Sequence, residues 1–272
     1  MEPLMIKAAV LGSPISHSLS PALHSRAYEI LGISGEYTAI ETTDLNLAEV
    51  LARGIQDEWN GFNLTMPLKE SIFSSPLCDF DASSRSIRSA NTLVREKKRY
   101  IATSTDKSAF ERLLAPYDVA KVAIIGGGGT ARAAVGAIAE RVEKIDLLLR
   151  TPDRAVIIRE IAPTATVNVI PMNSSLSGYD LVINTSPAGV ADHLSQRVES
   201  VDGLLFESLY RPWPTELSFT WKELGGKVLT GADLLVEQAL DAIALICKVD
   251  FDYALMRSDL LRVALSELNP QM

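Results

Sequence analysis

The chain has 272 residues, 47% of them hydrophobic, and carries a formal net charge of −8. This size and composition allow a large core and two domains of ordinary size, whereas the acidic balance and the lack of a long basic run argue against a nucleic-acid-binding protein. The two cysteines and three histidines (Cys78, Cys247, His17, His24 and His193) have no metal-ligand spacing. The N-terminus does not resemble a signal peptide and no apolar run is long enough to span a membrane, so we expect a reduced, cytoplasmic protein without a metal site or a membrane anchor.

Residues 7–101 alternate short apolar runs with helix-forming segments, a pattern that predicts an α/β domain. The predicted strands cover residues 8–11, 37–40, 59–64, 92–94 and 100–102, and the predicted helices cover residues 21–31 and 45–51. The charged segment 96–99, between the last two strands, most simply forms a hairpin turn exposed to water.

Four consecutive glycines stand between an apolar run and a helix-forming segment: Gly126, Gly127, Gly128 and Gly129 follow residues 122–125 and precede Thr130. The spacing Gly126-x-Gly128-x-x-Ala131 fits the motif of dinucleotide-binding loops, in which glycine lets the backbone approach a pyrophosphate and the helix N-terminus stabilises its charge. The spacing alone is weak evidence, because glycine runs also form ordinary turns. The strand before it, the helix after it and a second strand that ends about 20 residues later favour a cofactor site.

The residues after that second strand distinguish the two nicotinamide cofactors. A carboxylate there would bind the free ribose 2′-hydroxyl of NAD, but the chain has Arg150, Thr151 and Arg154 instead. The two guanidinium groups favour NADP(H). The same segment is also typical of a helix start, with Thr151 as N-cap, Pro152 as the first helical residue and the arginines in water, and both interpretations can hold together.

From residue 121 onward, strand and helix segments alternate regularly. Six strands are predicted at 122–125, 145–149, 166–170, 181–184, 204–206 and 227–229, which indicates a doubly wound parallel sheet. Two helical segments follow, at 234–246 and 253–268. We expect the first of them to return to the N-terminal domain and to help close a cleft, and we expect the residues ahead of the glycine loop to hold the substrate.

A series of ordered motifs covers nearly the whole chain. They are GSPISHSLSPALH at 12–24, GFNLTMPLK at 61–69, SANT at 89–92, Thr105–Asp106, NTSPAG at 184–189, YRPWPT at 210–215 and GADLLVEQ at 231–238. In the first motif a strand, a turn and a helix present two hydroxyls at Ser18 and Ser20, although Ser20 and Pro21 alone are typical of an N-cap and a first helical residue. Taken together, the motifs resemble those of the shikimate dehydrogenases.

The resemblance implies an N-terminal α/β substrate domain at 1–105, a doubly wound Rossmann-type NADP-binding domain at 106–232, and C-terminal helices at 233–272 that return to the first domain. A cleft is expected between the two domains. The resemblance also implies the reversible NADPH-dependent reduction of 3-dehydroshikimate to shikimate, a step of chorismate and aromatic amino-acid biosynthesis. The oligomeric state, monomer or homodimer, stays open.

By the same resemblance, the family's lysine and aspartate fall on Lys69 and Asp106. Hydride arriving at a carbonyl carbon builds negative charge on the oxygen, which a nearby ammonium stabilises and protonates while a carboxylate orients the ammonium. Taken singly, Lys69 could be a solvated surface residue and Asp106 a helix cap, so the assignment depends on their meeting in space. Neither His17, in the turn, nor His24, expected to pack on its helix, is assigned as a base.

The resemblance also assigns residues that bind substrate and cofactor. The hydroxyls of Ser18 and Ser20, together with Tyr210, match the family's site for the substrate carboxylate. Thr65, Asn91 and Gln238 match residues that hydrogen-bond the ring hydroxyls. The cofactor contacts fall on Gly126, Gly127, Gly128, Gly129 and Thr130, on Arg150, Thr151 and Arg154, and on Gly231 near the nicotinamide.

Five positions depart from the family pattern. They are Ala102, Ser104 and Ala109 in the G-x-N-T-D-x-x-G element, Leu149 in place of the asparagine of N-R-T, and Glu207 where an aspartate is frequent. These departures bear on cofactor affinity and turnover more than on the type of reaction.

Three other interpretations stay open. An NAD-preferring quinate/shikimate dehydrogenase would be expected to carry an acid at 149–151. A folate-type methylene dehydrogenase shares the architecture, but the Ser18 and Ser20 turn suits a small carboxylate better than a pteridine. A catalytically silent nucleotide-binding sensor would keep the fold and would need neither Lys69 nor Asp106.

Overall fold

The chain divides into two compact α/β units in the computed structural model, which describes residues 5–268. One unit contains the chain up to Asp106 together with the chain from Leu235 onward, and the other is Lys107–Leu234. The four residues at each end, which include most of the N-terminal stretch that we expect to be untargeted, lie outside the described range. The predicted domain boundaries at 105 and 232 stay predictions.

The first unit is built on a mixed six-stranded sheet. Its strands are β1 (Ile6–Gly12), β2 (Gly35–Glu41), β3 (Gly61–Leu64), β4 (Cys78–Phe80), β5 (Thr92–Glu96) and β6 (Arg99–Thr103). They lie in the order β2-β1-β3-β5-β6-β4. The three neighbours β1, β2 and β3 are parallel, whereas β5 is antiparallel to both β3 and β6. Lys97 has a positive φ of 57° in the turn between β5 and β6, so the predicted hairpin is confirmed.

Four helices belong to the first unit, and a fifth begins at its end and continues into the second unit. They are α1 (Ser20–Leu31), α2 (Leu47–Gln56), α3 (Leu68–Ser71), α4 (Ala82–Ile87) and α5 (Thr105–Leu114). On one side of the sheet, Leu51 of α2 and Leu68 of α3 pack with Leu11, Phe62 and Leu93 of the strands in one buried cluster. The short helix α3 is therefore anchored by Leu68, which places the next residue, Lys69, at the edge of this core.

The second unit contains a fully parallel six-stranded sheet. Its strands are β7 (Lys121–Ile125), β8 (Lys144–Leu148), β9 (Thr166–Ile170), β10 (Leu181–Asn184), β11 (Leu204–Glu207) and β12 (Lys227–Thr230), and its helices are α6 (Gly129–Ile138), α7 (Ala155–Ile161) and α8 (Glu216–Glu223). The order β12-β11-β10-β7-β8-β9 is the Rossmann order, with the reversal of strand order between β7 and β10. The predicted doubly wound sheet is confirmed.

Two C-terminal helices complete the first unit. They are α9 (Gly231–Cys247) and α10 (Tyr253–Leu268). Ala242 and Ile246 of α9 belong to the same buried cluster as Ile6, Ala8 and Val10 of β1. This helix therefore packs against strand β1 of the first unit, while the assignment of residues 233–272 to the N-terminal domain stays a prediction. No helix among residues 5–268 is long and apolar enough to cross a membrane.

Candidate active site

The turn after β1 is held from both sides by hydrogen bonds. The amide of Ser13 donates to the carbonyl of Met66 at 2.9 Å, and the amide of Ile15 donates to Glu41 Oε2 at 3.1 Å. A Cβ at Gly12 would lie only 2.3 Å from Thr65 Cγ2, so this position accepts no side chain. The turn that leads to Ser18 therefore lies directly against the segment that contains Thr65.

The start of α1 differs from the prediction. Leu19, with φ −86° and ψ −7°, occupies the N-cap position, and Ser20 is already the first residue of the helix, so the assignment of Ser20 as N-cap is wrong. The reason is that Ser18 Oγ accepts the amide of Ser20 at 3.3 Å, which satisfies a first-turn donor from outside the helix. Ser20 is 6% exposed. Pro21 lies in the first turn as predicted.

Lys69 and Asp106 form an ion pair. Lys69 Nζ lies 2.6 Å from Asp106 Oδ2, and the two side chains are 17% and 5% exposed. Because α5 begins at Thr105, Asp106 lies inside the first turn, and its carboxylate contacts the lysine. The contact that the assignment requires is present, while the roles of both residues in catalysis stay predictions.

Asn91 connects this pair to α9. Its Oδ1 accepts the amide of Asp106 at 3.1 Å, and its Nδ2 donates to Thr105 Oγ1 at 2.7 Å and to Gln238 Oε1 at 3.3 Å. The structure thus brings Lys69, Asp106, Asn91 and Gln238 together within the first unit. Tyr210 belongs to the second unit, where burial raises the pKa of its hydroxyl.

His17 and His24, on either side of Ser18 and Ser20, have different environments. His17 is exposed, whereas His24 is fully buried and stacks on Tyr37 with ring centroids 3.7 Å apart. Burial lowers the pKa of His24 to about 3, because a charged imidazolium is poorly solvated there. His24 is therefore a neutral core residue over the ordinary pH range. Its ring packs on Tyr37 of strand β2 as well as on Tyr28 of its own helix α1.

The glycine loop connects β7 to α6 in the second unit. Gly126 has a φ of 108°, and a Cβ on it would lie 2.5 Å from Thr185 Oγ1. That hydroxyl donates to the carbonyl of Ile125 at 3.0 Å, so its position is fixed. Gly128 is the N-cap of α6, and Thr130 lies in its first turn. The loop therefore has no side chain that would keep a pyrophosphate away from the backbone and the helix N-terminus, which is what a dinucleotide requires.

The segment after β8 contacts this loop through one of its two arginines. Arg154 Nη1 donates to the carbonyl of Gly127 at 3.3 Å, and a Cβ on Gly127 would lie 3.0 Å from both Arg154 Cβ and Leu149 Cδ2. Arg150 and Thr151 are exposed. Thr151 occupies the predicted N-cap position without a side-chain hydrogen bond, and Pro152 opens a single 3-10 turn before α7. Arg154 therefore lies against the glycine loop, whereas the roles of Arg150, Thr151 and Arg154 in cofactor binding stay predictions.

Glu207 organises the end of β11. It is fully buried, and its two carboxylate oxygens accept hydrogen bonds from Asn184 Nδ2 at 3.0 and 2.9 Å, from Thr215 Oγ1 at 2.9 Å and from the amide of Leu209 at 3.2 Å. Burial raises the pKa of this carboxyl group. Just beyond, a Cβ on Gly231 would lie 2.3 Å from the carbonyl oxygen of Ser208. Glu207, which stands where the family often has an aspartate, therefore holds the loop that contains Tyr210 through Leu209 and Thr215.

Comparison with known proteins identifies the family. Residues 10–93 match the shikimate dehydrogenase substrate binding domain. A shikimate dehydrogenase (NADP(+)) of Exiguobacterium sp. is 32% identical over 238 residues, which cover 85% of this chain and 88% of that protein. The chain belongs to the shikimate dehydrogenase family. The corresponding enzyme of Bacillus licheniformis is 30% identical, with 87% of this chain and 89% of that protein covered.

Solved structures of shikimate dehydrogenases are similar over nearly the whole length. The Mycobacterium tuberculosis enzyme superimposes with a TM-score of 0.85 at 30% identity, covering 94% of this chain and 99% of the other. The Thermus thermophilus enzyme, in complex with NADP(H) and shikimate, has a TM-score of 0.82 at 28% identity and covers 95% and 100% of the two chains.

A group of buried polar residues next to the site has no role assigned from the sequence. Asn63 in β3, Thr92 in β5 and Thr105 at the start of α5 are hydrogen-bonded to one another or to Asn91. A signal for them was available, because Asn63 stands within a fully buried four-residue strand, where a polar side chain needs partners.

Proposed function

We propose that this protein catalyses the reversible NADPH-dependent reduction of 3-dehydroshikimate to shikimate, with Lys69 and Asp106 assisting proton transfer to the carbonyl oxygen. The observation that carries the proposal is the 2.6 Å contact between Lys69 Nζ and Asp106 Oδ2, joined through Asn91 to Gln238. Membership of the shikimate dehydrogenase family and the similarity to the Thermus thermophilus enzyme, in complex with NADP(H) and shikimate, support it.

The substrate ketone would meet Lys69 in this scheme. The Lys69 ammonium would stabilise the developing charge on the carbonyl oxygen and supply the proton, and Asp106 would keep the ammonium oriented. Ser18 and Ser20, with Tyr210, would bind the substrate carboxylate. The ring hydroxyls would be bound by Thr65, Asn91 and Gln238.

NADPH supplies the hydride when it is bound. The side-chain-free loop at Gly126–Gly129, with Thr130 in the first turn of α6, fits its pyrophosphate. Arg150, Thr151 and Arg154 would bind the 2′-phosphate, and Gly231 would lie near the nicotinamide. In this proposal, residues 1–105 form the substrate domain, 106–232 the cofactor domain and 233–272 the C-terminal helices of the first domain.

We also propose that the enzyme works in the cytoplasm on small molecules, without a nucleic-acid partner and as a monomer or a homodimer. The acidic net charge of −8 supports the absence of a nucleic-acid partner.

The test is to follow nicotinamide absorbance with shikimate and quinate, each against NADP and NAD. We expect kcat/KM for shikimate with NADP to exceed that with NAD by roughly tenfold or more, since the segment after β8 carries arginines where NAD would require an acid. A preference for NAD would support the quinate/shikimate alternative instead. NADP binding without turnover of either substrate would support the silent sensor.

A further inference from the structure

A chain of buried hydrogen bonds runs beneath the proposed site. The hydroxyl of Tyr37 donates to Asn63 Oδ1 at 2.7 Å, and Asn63 Nδ2 donates to Thr92 Oγ1 at 2.9 Å. Thr92 Oγ1 lies 2.9 Å from Thr105 Oγ1, which accepts from Asn91 Nδ2 at 2.7 Å. These five side chains are at most 5% exposed, so their polar atoms depend on one another rather than on water.

Asn91 is held between Asp106 and this series of hydrogen bonds. The backbone N–H of Asp106 can only donate, so the amide of Asn91 turns its Oδ1 to that N–H, 3.1 Å away, and its Nδ2 to Thr105 Oγ1, which supports it from the other side at 2.7 Å. Thr92 is the residue that connects the two halves, since its single hydroxyl contacts both Asn63 and Thr105.

We infer that Thr92 is a positioning residue for the reaction. It is fully buried and would touch neither substrate nor cofactor, and it acts through Thr105 and Asn91 on the backbone of Asp106, whose carboxylate holds Lys69. The inference rests on the proposed function. Loss of the hydroxyl removes one contact of Asn63 and one of Thr105, so the Asn91 amide and the first turn of α5 lose a fixed support. A displacement of about 1 Å at such a site can reduce the rate by roughly a hundredfold.

The experiment compares Thr92→Ser with Thr92→Ala. Both variants lack the methyl group of threonine and differ in the hydroxyl alone, so packing defects are common to the two. The control pair is Thr103→Ser and Thr103→Ala: Thr103 lies opposite Thr92 in the sheet, and its Oγ1 donates to Asp81 Oδ2 at 2.6 Å. We expect kcat/KM for shikimate to be roughly tenfold or more lower in Thr92→Ala than in Thr92→Ser, with the KM for NADP unchanged in both. The two Thr103 variants should differ by less than about twofold.

Equal kcat/KM values for the two Thr92 variants would overturn the inference. It would also be overturned if Thr103→Ala lost as much activity relative to Thr103→Ser, or if the KM for NADP rose in parallel, because either result would indicate general destabilisation. If the unsubstituted protein turns over shikimate and its variants give one of these results, the inference fails but the proposed function stands. If the unsubstituted protein does not turn over shikimate, both the proposed function and the inference are overturned.

Discussion

Two arginines follow β8, and they differ in what they contact. Arg154 donates to the carbonyl of Gly127, whereas Arg150 extends into solvent. A guanidinium at this strand end can form charge-assisted hydrogen bonds with a 2′-phosphate but finds no such group on NAD. Arg150 should therefore contribute to the binding of NADPH and not to the chemical step.

Reversing the charge of Arg150 tests this at the level of a single residue. In Arg150→Glu we expect the KM for NADPH to rise by roughly tenfold or more, while kcat changes by less than about twofold. Arg159→Glu, the same charge change at another exposed position of the second unit, serves as the control and should leave the KM nearly unchanged. An unaltered KM in Arg150→Glu would mean that this arginine is only a charge at a helix start.

Some site residues could be predicted from sequence and others could not. Lys69 and Asp106 are 37 positions apart, so their pairing follows only from the ordered motifs and not from any local pattern. Ser followed by Pro is common at a helix start and predicts Ser20 as the N-cap, yet Ser18 Oγ already accepts the amide of Ser20. Glu207 stands out in the sequence only as a departure from the family pattern, since the strand register that sets it opposite Asn184 is not readable from spacing.

At the scale of elements, the glycine loop combines backbone strain with close contact. Gly126 has a φ of 108°, and Thr185 Oγ1 would lie 2.5 Å from any Cβ placed there. Gly178 of the same unit also has a positive φ, 79°, but a Cβ added to it would meet no atom within 4 Å. Alanine at Gly178 would therefore meet only an unfavourable backbone conformation, whereas alanine at Gly126 would meet that conformation and a steric clash with Thr185.

We expect Gly126→Ala to weaken NADP binding by about tenfold or more, because the loop must move away from Thr185 and from the position that a pyrophosphate would occupy. Gly178→Ala should lose about 1 kcal/mol of stability and keep its affinity for NADP. Calorimetric titration with NADP and thermal unfolding of both variants measure the two quantities. Equal affinities for the two variants would contradict a role of this loop in cofactor binding.

The strands of the parallel sheet were predictable because burial on both faces produces uninterrupted apolar runs, as in residues 122–125. The three-residue edge strand β4 (Cys78–Phe80) was missed, since it is too short to show a period. The start of α9 was predicted three residues late. Thr230 and Asp233 form reciprocal hydrogen bonds around Gly231, at 3.1 Å and 3.3 Å, so a capping box sets the start of this helix.

At the scale of the whole molecule, the first unit is assembled from distant parts of the chain. Ile246 of α9 shares a buried cluster with Ile6 and Val10, although the whole second unit lies between them in sequence. Arg26 of α1 donates to Asp259 Oδ2 of α10 through Nε at 3.1 Å and Nη2 at 3.0 Å. The first unit therefore includes residues from both ends of the sequence, and both C-terminal helices contact its other elements.

The stability of the protein should depend on pH through His24. Its pKa is lowered by burial from 6.5 to about 3, so the folded protein does not bind a proton that the unfolded chain binds below pH 6.5. The free energy of unfolding therefore has its full value above pH 6.5 and decreases as the pH falls toward 3, with a slope of up to about 1.4 kcal/mol per pH unit.

Urea unfolding between pH 7 and pH 4.5 measures this dependence. In His24→Phe, which keeps a ring against Tyr37, the loss of stability on acidification should be smaller than in the unsubstituted chain. His17→Gln, the replacement of an exposed histidine, is the control variant. Identical pH profiles for His24→Phe and the unsubstituted chain would refute the linkage.

The proposed reaction requires the ion pair between Lys69 and Asp106, and Lys69→Ala removes the ammonium of that pair. Measured with shikimate and NADP, kcat should fall by about 10²- to 10⁴-fold, while the Kd for NADP from calorimetric titration changes by less than about twofold, because the ammonium acts mainly in the transition state. Lys107→Ala, next to Asp106 in sequence and paired with Glu111, is the control and should retain its kcat. An unchanged kcat in Lys69→Ala would contradict the account.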